Sequence, residues 1–526
     1  MTKRLFFWAT ALVVALVMPT SCKDNNDIVD DPLQPEELAD YTIIYYGHGG
    51  GNLDPMLLEN MAQFFQADEN SYKNVNICAQ YKYSSAENIN QLISQLESVL
   101  DPNMPEIEEI MKSLKEMLLY ANKTCRFTAD DIMNMLSNSE DPDTEFDNPL
   151  KIFGRYIFGP DNADISCPDS LTNFINWAAT VRPAKKYILV LSDHGSGYLP
   201  HEEMPETTRG VIYDDGHENK SFTAKTLTQA IRNANVRPSV IYFDACLMNT
   251  AEYQFEMAPL TDYLVQSTFI VPGEGGDYVT LIDALSQNPD DLEKALTRFC
   301  QATVDRWDES ASEGSADDAE EPVYHDMNVY RTSDIDALGS ELRTFVDKLI
   351  DTYQNGSEEM KAKIDTCTAH AFRIDENRPF YDLIDYAATL TISLPDVFGS
   401  AADSKLGKAF DRCIVYQQSS KWLLEYGHAV DLSVMLGCEG HYRLNTGLDN
   451  LVVQFFDNGV TGYIKDGNLI IPSEIQTKWG TLDQSYGQLR FDQATGWSRW
   501  LRLNKQEPNQ QCFTGFNPLI PYTNPD

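Results

Sequence analysis

VIYFDACLMN (residues 240–249) runs four apolar residues into Asp244 and sets Cys246 two positions further on, ahead of a second apolar pair. Unbroken apolar character predicts a strand buried on both faces, as in a parallel sheet covered by helices on each side. Residues that end such a strand emerge at the edge where open α/β sheets bind ligands. A carboxyl and a thiol placed together there read as a site. KYILVLSD (186–193) has the same character and runs into HGSGY, so His194 leaves a second buried strand in a turn of small residues built for access.

Working outward, apolar runs and helical spacings alternate along the chain. YTIIYYG (41–47) and VNICAQY (75–81) predict strands around a helical PMLLENMAQFF, and 105–123 has an amphipathic helical stripe. SLTNFINWAATV and TAKTLTQAIRNA predict helices before the two site strands, and DYLVQSTFI predicts a further strand. This order implies a three-layer αβα sandwich with a mostly parallel central sheet over 41–390. The remainder, 391–526, reads as a smaller C-terminal α+β addition. The acid-rich run 308–321 reads as a solvated surface loop.

Composition narrows the function. The 80 acidic residues against 40 basic ones, net −40, exclude nucleic acid and anionic membrane surfaces as partners and favour cationic ones. Ten cysteines without a CxxC or Cys/His ligand spacing give no structural zinc site and no dense disulfide framework, and most read as buried thiols. The start carries Lys3 and Arg4, an apolar stretch too short to span a membrane comfortably, then Ser21 and Cys22. It reads as a lipoprotein signal over 1–22, with Cys22 as the lipidated residue and 23–40 as a flexible acidic tether; the product is exported and anchored to a bacterial outer membrane. An ordinary cleaved signal, with Cys22 a bystander, is the alternative.

Cys246 follows His194 by 52 residues. A thiol is mostly protonated at neutral pH, so a neighbouring imidazole is needed to take its proton or to protonate a departing amine. Amides at Gly195 and Cys246 are placed to bind an oxyanion, because a residue without Cβ lets substrate approach the backbone.

YILVLSDHGSGY, VIYFDACLMNTAEYQFEMAPLTDYLVQST, VPGEGGDY and SLTNFINWA together resemble the clostripain family of cysteine peptidases, related to caspases, legumain and gingipains. The resemblance spans about 41–390. It implies a caspase-like fold and endopeptidase activity, with His194 as base or acid and Cys246 as nucleophile. It also implies that Asp244 sits in the S1 pocket, for cleavage of protein or peptide substrates after Arg or Lys. Self-cleavage between His194 and Cys246 is expected after Arg209, with Lys220 second. No cofactor is required; calcium stays open, since acidic residues abound but no EF-hand spacing is present.

Alternatives stand beside these readings. Asp244 could cap a helix starting near Leu247, Cys246 could be a structural thiol, and the chain could be a non-catalytic surface lipoprotein that binds peptides or glycans. His48, in YYGHGGGN, offers a second His-Gly pair but reads as a loop histidine, and GGGN lacks the Lys-Ser/Thr of a phosphate cradle. Oligomeric state is left open.

Overall fold

The computed structural model describes residues 38–99, 105–137, 149–198, 210–218, 220–313, 325–372, 374, 380–400, 404–421, 433–435, 439–442, 451–455, 460–465, 468–470 and 486–503. Cys22, Arg209 and nearly all of the 23–40 tether lie outside them. In chain order the first eleven strands are β1 (Ala39–His48), β2 (Val75–Lys82), β3 (Thr124–Thr128), β4 (Ala184–Ser192), β5 (Val211–Asp214), β6 (Lys220–Phe222), β7 (Val240–Asp244), β8 (Tyr263–Gln266), β9 (Asp326–Arg331), β10 (Phe380–Asp382) and β11 (Ile414–Ser419).

Eight of these form one sheet in the order β11-β9-β8-β7-β4-β1-β2-β3. The five central strands, β8 to β2, run parallel, β3 and β9 join them antiparallel at the two margins, and β11 pairs antiparallel with β9. Period-two alternation sends successive side chains to opposite faces. Ile44, Tyr46, Leu189, Leu191, Ile241 and Phe243 enter one core with helices Pro168–Val181, Ala224–Arg232 and Ala251–Met257. Ile43, Tyr45, Ile188, Val190, Val240 and Tyr242 enter the other, with Tyr278–Gln287 and Leu292–Glu313. Each fully buried large apolar side chain contributes about 1.5–3 kcal/mol, so Phe243→Ala would cost about 3–5 kcal/mol. The expected layered architecture is present.

The sheet register brings the site together. Gly47 of β1 pairs with Ser192 of β4, and Ser192 pairs with Asp244 of β7. The loops after these three strands therefore leave the sheet side by side, carrying Gly49–Asn52, Asp193–Gly195 and Ala245–Leu247.

The C-terminal region, read as an addition to the layered domain, joins it directly, because β11 completes the main sheet beside β9. Helices Arg490–Thr495 and Trp497–Leu503 bury Trp497 and Trp500 in the same core. An unpaired β9 edge would leave its backbone groups without partners, which β11 supplies. A separate four-stranded antiparallel sheet between residues 439 and 470 belongs to the addition. The acid run at 308 is not all loop, since helix Leu292–Glu313 continues through its first six residues. Asp308 is held there by an ion pair with His325 (3.0 Å) and a hydrogen bond from the Lys421 amide (3.1 Å).

Candidate active site

β7 is buried throughout, and its end sets the geometry of Cys246. Leu247 follows in the left-handed region (φ 63°), a conformation that costs an ordinary side chain about 1–2 kcal/mol. The surroundings hold it. Leu247 NH donates to Phe269 O (3.0 Å), and its side chain joins Phe269, Phe372, Ile374 and Phe380 in a small cluster against which Cys246 packs. This sharp turn leaves the thiol half-buried, its Sγ accepting the Val271 NH at 3.3 Å. The other described cysteines are free thiols too, and Cys78, Cys125, Cys300, Cys367 and Cys413 are buried, as expected.

His194 leaves β4 between two restraints. Asp193 accepts the His194 NH on Oδ1 and the Tyr213 NH on Oδ2, both at 2.6 Å, which ties the histidine turn to β5. The imidazole Nε2 meets Asn52 Oδ1 at 2.7 Å. Burial lowers the His194 pKa, and the charge of nearby His48 lowers it further. Gly195 is needed for close approach: a Cβ there would strike the Cys246 carbonyl oxygen and stand 3.0 Å from Cys246 N and from the Ala245 Cβ. The His-Gly turn and the cysteine turn are thus in backbone contact.

These turns share a cleft of about 330 Å³ lined by Asp193, His194, Gly195, Asp244, Cys246 and Gly275, with Leu53, Met56, Ile270 and Pro272 at its sides. Asp244 is 4% exposed. Its Oδ1 accepts Tyr242 Oη (2.9 Å), and its Oδ2 accepts Tyr278 Oη (2.6 Å) and, more weakly, Ser192 Oγ (3.4 Å). Burial raises its pKa, against the pull of the Tyr278 and Tyr242 hydroxyls, the Gly276 NH and the Arg306 charge. Asp244 is not a helix cap: the next helix starts at Ala251 and is capped by Thr250 Oγ1, which accepts the Tyr253 NH. The cleft wall at 273–275 is fixed from behind, where Arg306 donates to Glu274 O (2.8 Å) and Gly275 O (2.7 Å).

His48 corrects the loop reading. It is the last residue of β1, fully buried, and its Nε2 lies 2.9 Å from Asp215 Oδ1 while Nδ1 meets Lys82 O at 2.7 Å. Burial alone would lower its pKa, but the Asp215 hydrogen bond and the charges of Asp193, Asp215 and Asp214 lift it to about 9. Beside it Lys82 Nζ bonds Asp214 Oδ1 (2.5 Å) and Asn162 Oδ1 (2.9 Å). The trios His48–Asp214–Asp215 and Asp164–Asp214–His217 have atoms close enough to share a metal ion. Lys82 and His48 each pair with one of these carboxylates, Asp214 and Asp215 respectively.

The sequence reading named His194, Gly195, Asp244 and Cys246, and all four line this one cleft. Lys220 is exposed on β6 opposite Asp214 and is not among the residues that line the cleft. Asn52 and the glycines before it were missed as neighbours of His194. Their signal was present as three consecutive glycines directly after a buried strand.

The clostripain family model, Peptidase_C11, matches residues 106–501. Clostripain of Hathewaya histolytica is 29% identical over 144 residues, covering 25% of this chain and 27% of its own length. The chain thus aligns with about a quarter of that curated relative. A secreted C11 cysteine protease from Bacteroides thetaiotaomicron, "iotapain", superposes with a TM-score of 0.50 at 16% identity, covering 87% of this chain and 99% of that one. An inactive zymogen C11 protease from Parabacteroides distasonis gives 0.48 at 14% identity, covering 87% and 98%.

Proposed function

Given that this chain belongs to the clostripain family, a family of cysteine peptidases, we propose that it is an endopeptidase that cleaves after Arg or Lys, using Cys246 and His194. The observation that carries the reading is the buried Asp244 carboxylate in the cleft that also holds those two residues. A basic P1 side chain entering there meets a carboxylate in low dielectric, while an acidic one meets repulsion and an apolar one leaves the carboxylate without a counter-charge.

In this mechanism His194 takes the Cys246 proton and the thiolate attacks the scissile carbonyl. The S–C bond forms, and the carbonyl oxygen gains charge beside the amides of Gly195 and Cys246. Collapse expels the amine, which leaves with the proton from His194. Water then attacks the thioester, giving its proton to His194, and restores the thiol.

The same reading includes self-processing after Arg209, with Lys220 second. Gly210 supports the first site's downstream anchor: its NH donates to Ser196 Oγ (2.7 Å) and its carbonyl accepts the Ser196 NH (3.0 Å). A chain cut before Gly210 would stay held beside the histidine turn. Amino-terminal sequencing of mature protein should find Gly210 or Ser221 as a new start, and finding neither removes this element. Export and anchoring through Cys22 to the outer membrane remain part of the proposal, supported by the sequence of the first 22 residues. Among the described residues no helix is long and apolar enough to cross a membrane.

The specificity test is a set of fluorogenic peptides ending in Arg, Lys, Asp or Leu, under reducing conditions with and without calcium. Turnover confined to Arg and Lys is expected. Turnover of Leu or Asp peptides instead would reject the pocket assignment, and binding without turnover would favour a non-catalytic lipoprotein.

A further inference from the structure

The loop after β1 closes tightly on His194. Asn52 NH and Leu53 NH both donate to Gly49 O, at 3.1 and 2.7 Å, and Gly51 NH donates to Ser84 Oγ at 2.9 Å. Gly50 (φ +53°) and Gly51 (φ +99°) take left-handed conformations, and a Cβ on Gly50 would reach the Asp193 carboxylate and stand 2.7 Å from His194 Cδ2. The loop is pinned at its far end, where Asp54 accepts Tyr81 Oη at 2.5 Å and the Ser84 NH at 3.3 Å. Its glycines let the backbone lie against the imidazole, and Asn52 then reaches Nε2 at 2.7 Å.

An amide oxygen only accepts, so this contact requires the proton on Nε2. The lone pair is then on Nδ1. We infer that Asn52 is a positioning residue: its side-chain carbonyl holds His194 as the Nε2–H tautomer and so assigns Nδ1 as the nitrogen that exchanges a proton with Cys246. When the thiol S–H bond breaks and the Nδ1–H bond forms, the imidazole becomes cationic, and the Nε2–H···O bond to Asn52 becomes charge-assisted and stronger. Asn52 thereby favours the thiolate–imidazolium pair over the neutral pair. The groups that bear on this balance are His48 at the end of β1, Asp54 at the start of its helix, Asp193 beside the imidazole, Asp215 on the following turn, and Asp244 and Cys246 after β7.

The inference rests on the dyad reading but not on any peptide specificity, and its deciding readout needs no peptide substrate. The rate of Cys246 carbamidomethylation by iodoacetamide, read by mass spectrometry of the Cys246 peptide from pH 4 to 10, reports the thiolate fraction. Because Asn52 is exposed, Asn52→Ala is expected to fold normally. At pH 6 it should react about tenfold more slowly than wild type, with its apparent thiol pKa about one unit higher. Asn52→Asp should recover or exceed the wild-type rate, since a carboxylate stabilises the imidazolium. On a cleaved peptide, Asn52→Ala should lower kcat with KM little changed. Superimposable alkylation profiles for wild type and Asn52→Ala would overturn the inference. A wild type that shows the ion-pair profile but cleaves no Arg or Lys peptide would count only against the proposed specificity.

Discussion

Ser192 and Asp244 face each other on the last rung that β4 and β7 share, with Ser192 Oγ 3.4 Å from Asp244 Oδ2. From that rung the chain needs two more residues on each strand to reach His194 and Cys246. The approach of imidazole and thiol is therefore set first by parallel pairing at the end of the sheet and then by the two short turns that follow it. Sites built on strand ends inherit the rigidity of the sheet.

Gly195→Ala should abolish turnover while leaving the fold intact. Its methyl group would collide with the Cys246 carbonyl, pushing apart the two turns that carry the reacting groups and the oxyanion donors. Loss of one such donor costs about 10²–10³ in kcat. Steady-state kinetics, with far-UV circular dichroism as the control, checks this.

Asp244→Asn should lower kcat/KM for Arg and Lys peptides on the order of a hundredfold or more, because it removes one partner of a buried charge pair. The amide fits the same space, yet it adds donors where Tyr242, Tyr278 and Ser192 already donate. A modest fall in Tm is expected beside the kinetic loss, which should fall mainly on binding and specificity.

Gly275→Ala should act from the opposite wall. A Cβ there would press on the Asn60 side chain and stand 2.9 Å from Asp244 Oδ2, at a left-handed φ of +58°. The pocket floor would be blocked, so KM for long basic side chains should rise more than the alkylation rate of Cys246 falls. Comparing the two rates in one variant separates pocket closure from damage to the dyad.

Stability should fall as pH rises through neutrality. His48 has a folded pKa raised from 6.5 to about 9, so its contribution is complete below about 6.5 and lost by about 9. That is worth on the order of 3 kcal/mol. Burial lifts Asp193 to about 8, against the charge of His48 and the amides of His194 and Tyr213. The folded state therefore binds its proton more tightly than the unfolded chain, and stability falls from about pH 4 to 8. Asp215 runs the other way: despite burial, the His48 bond and charge hold it below the ordinary carboxylate range, so its contribution is lost in acid. Thermal melts should give a higher Tm at pH 6 than at pH 9, and His48→Gln should flatten that difference.

What could be read from the sequence was what short segments express by themselves. Unbroken apolar runs ending in Asp-His-Gly and Asp-Ala-Cys are local signals, and they located both site strands and the acidic residue of the cleft. His48 was misread because its partner Asp215 lies 167 positions away, and nothing near GHGGG shows that the imidazole will be buried as a cation. Asn52 was passed over for a related reason: the three glycines before it mark a special turn, but its contact with His194 lies 142 positions on, from the loop after β1 to the turn after β4. The strand at Ile414–Ser419 reads as part of an addition until β9 is seen to need an antiparallel neighbour. Long-range pairing decided each of these cases.

The central claim joins one nucleophile to one pocket, so the most direct measurement is covalent trapping by a peptidyl-Arg chloromethyl ketone, with the adduct mapped by mass spectrometry. The account predicts a single adduct on Cys246, absent in Cys246→Ala, slowed in Asp244→Asn, and formed far faster than with the matched peptidyl-Leu reagent. Equal rates for the Arg and Leu reagents, or an adduct on any other residue, would contradict it.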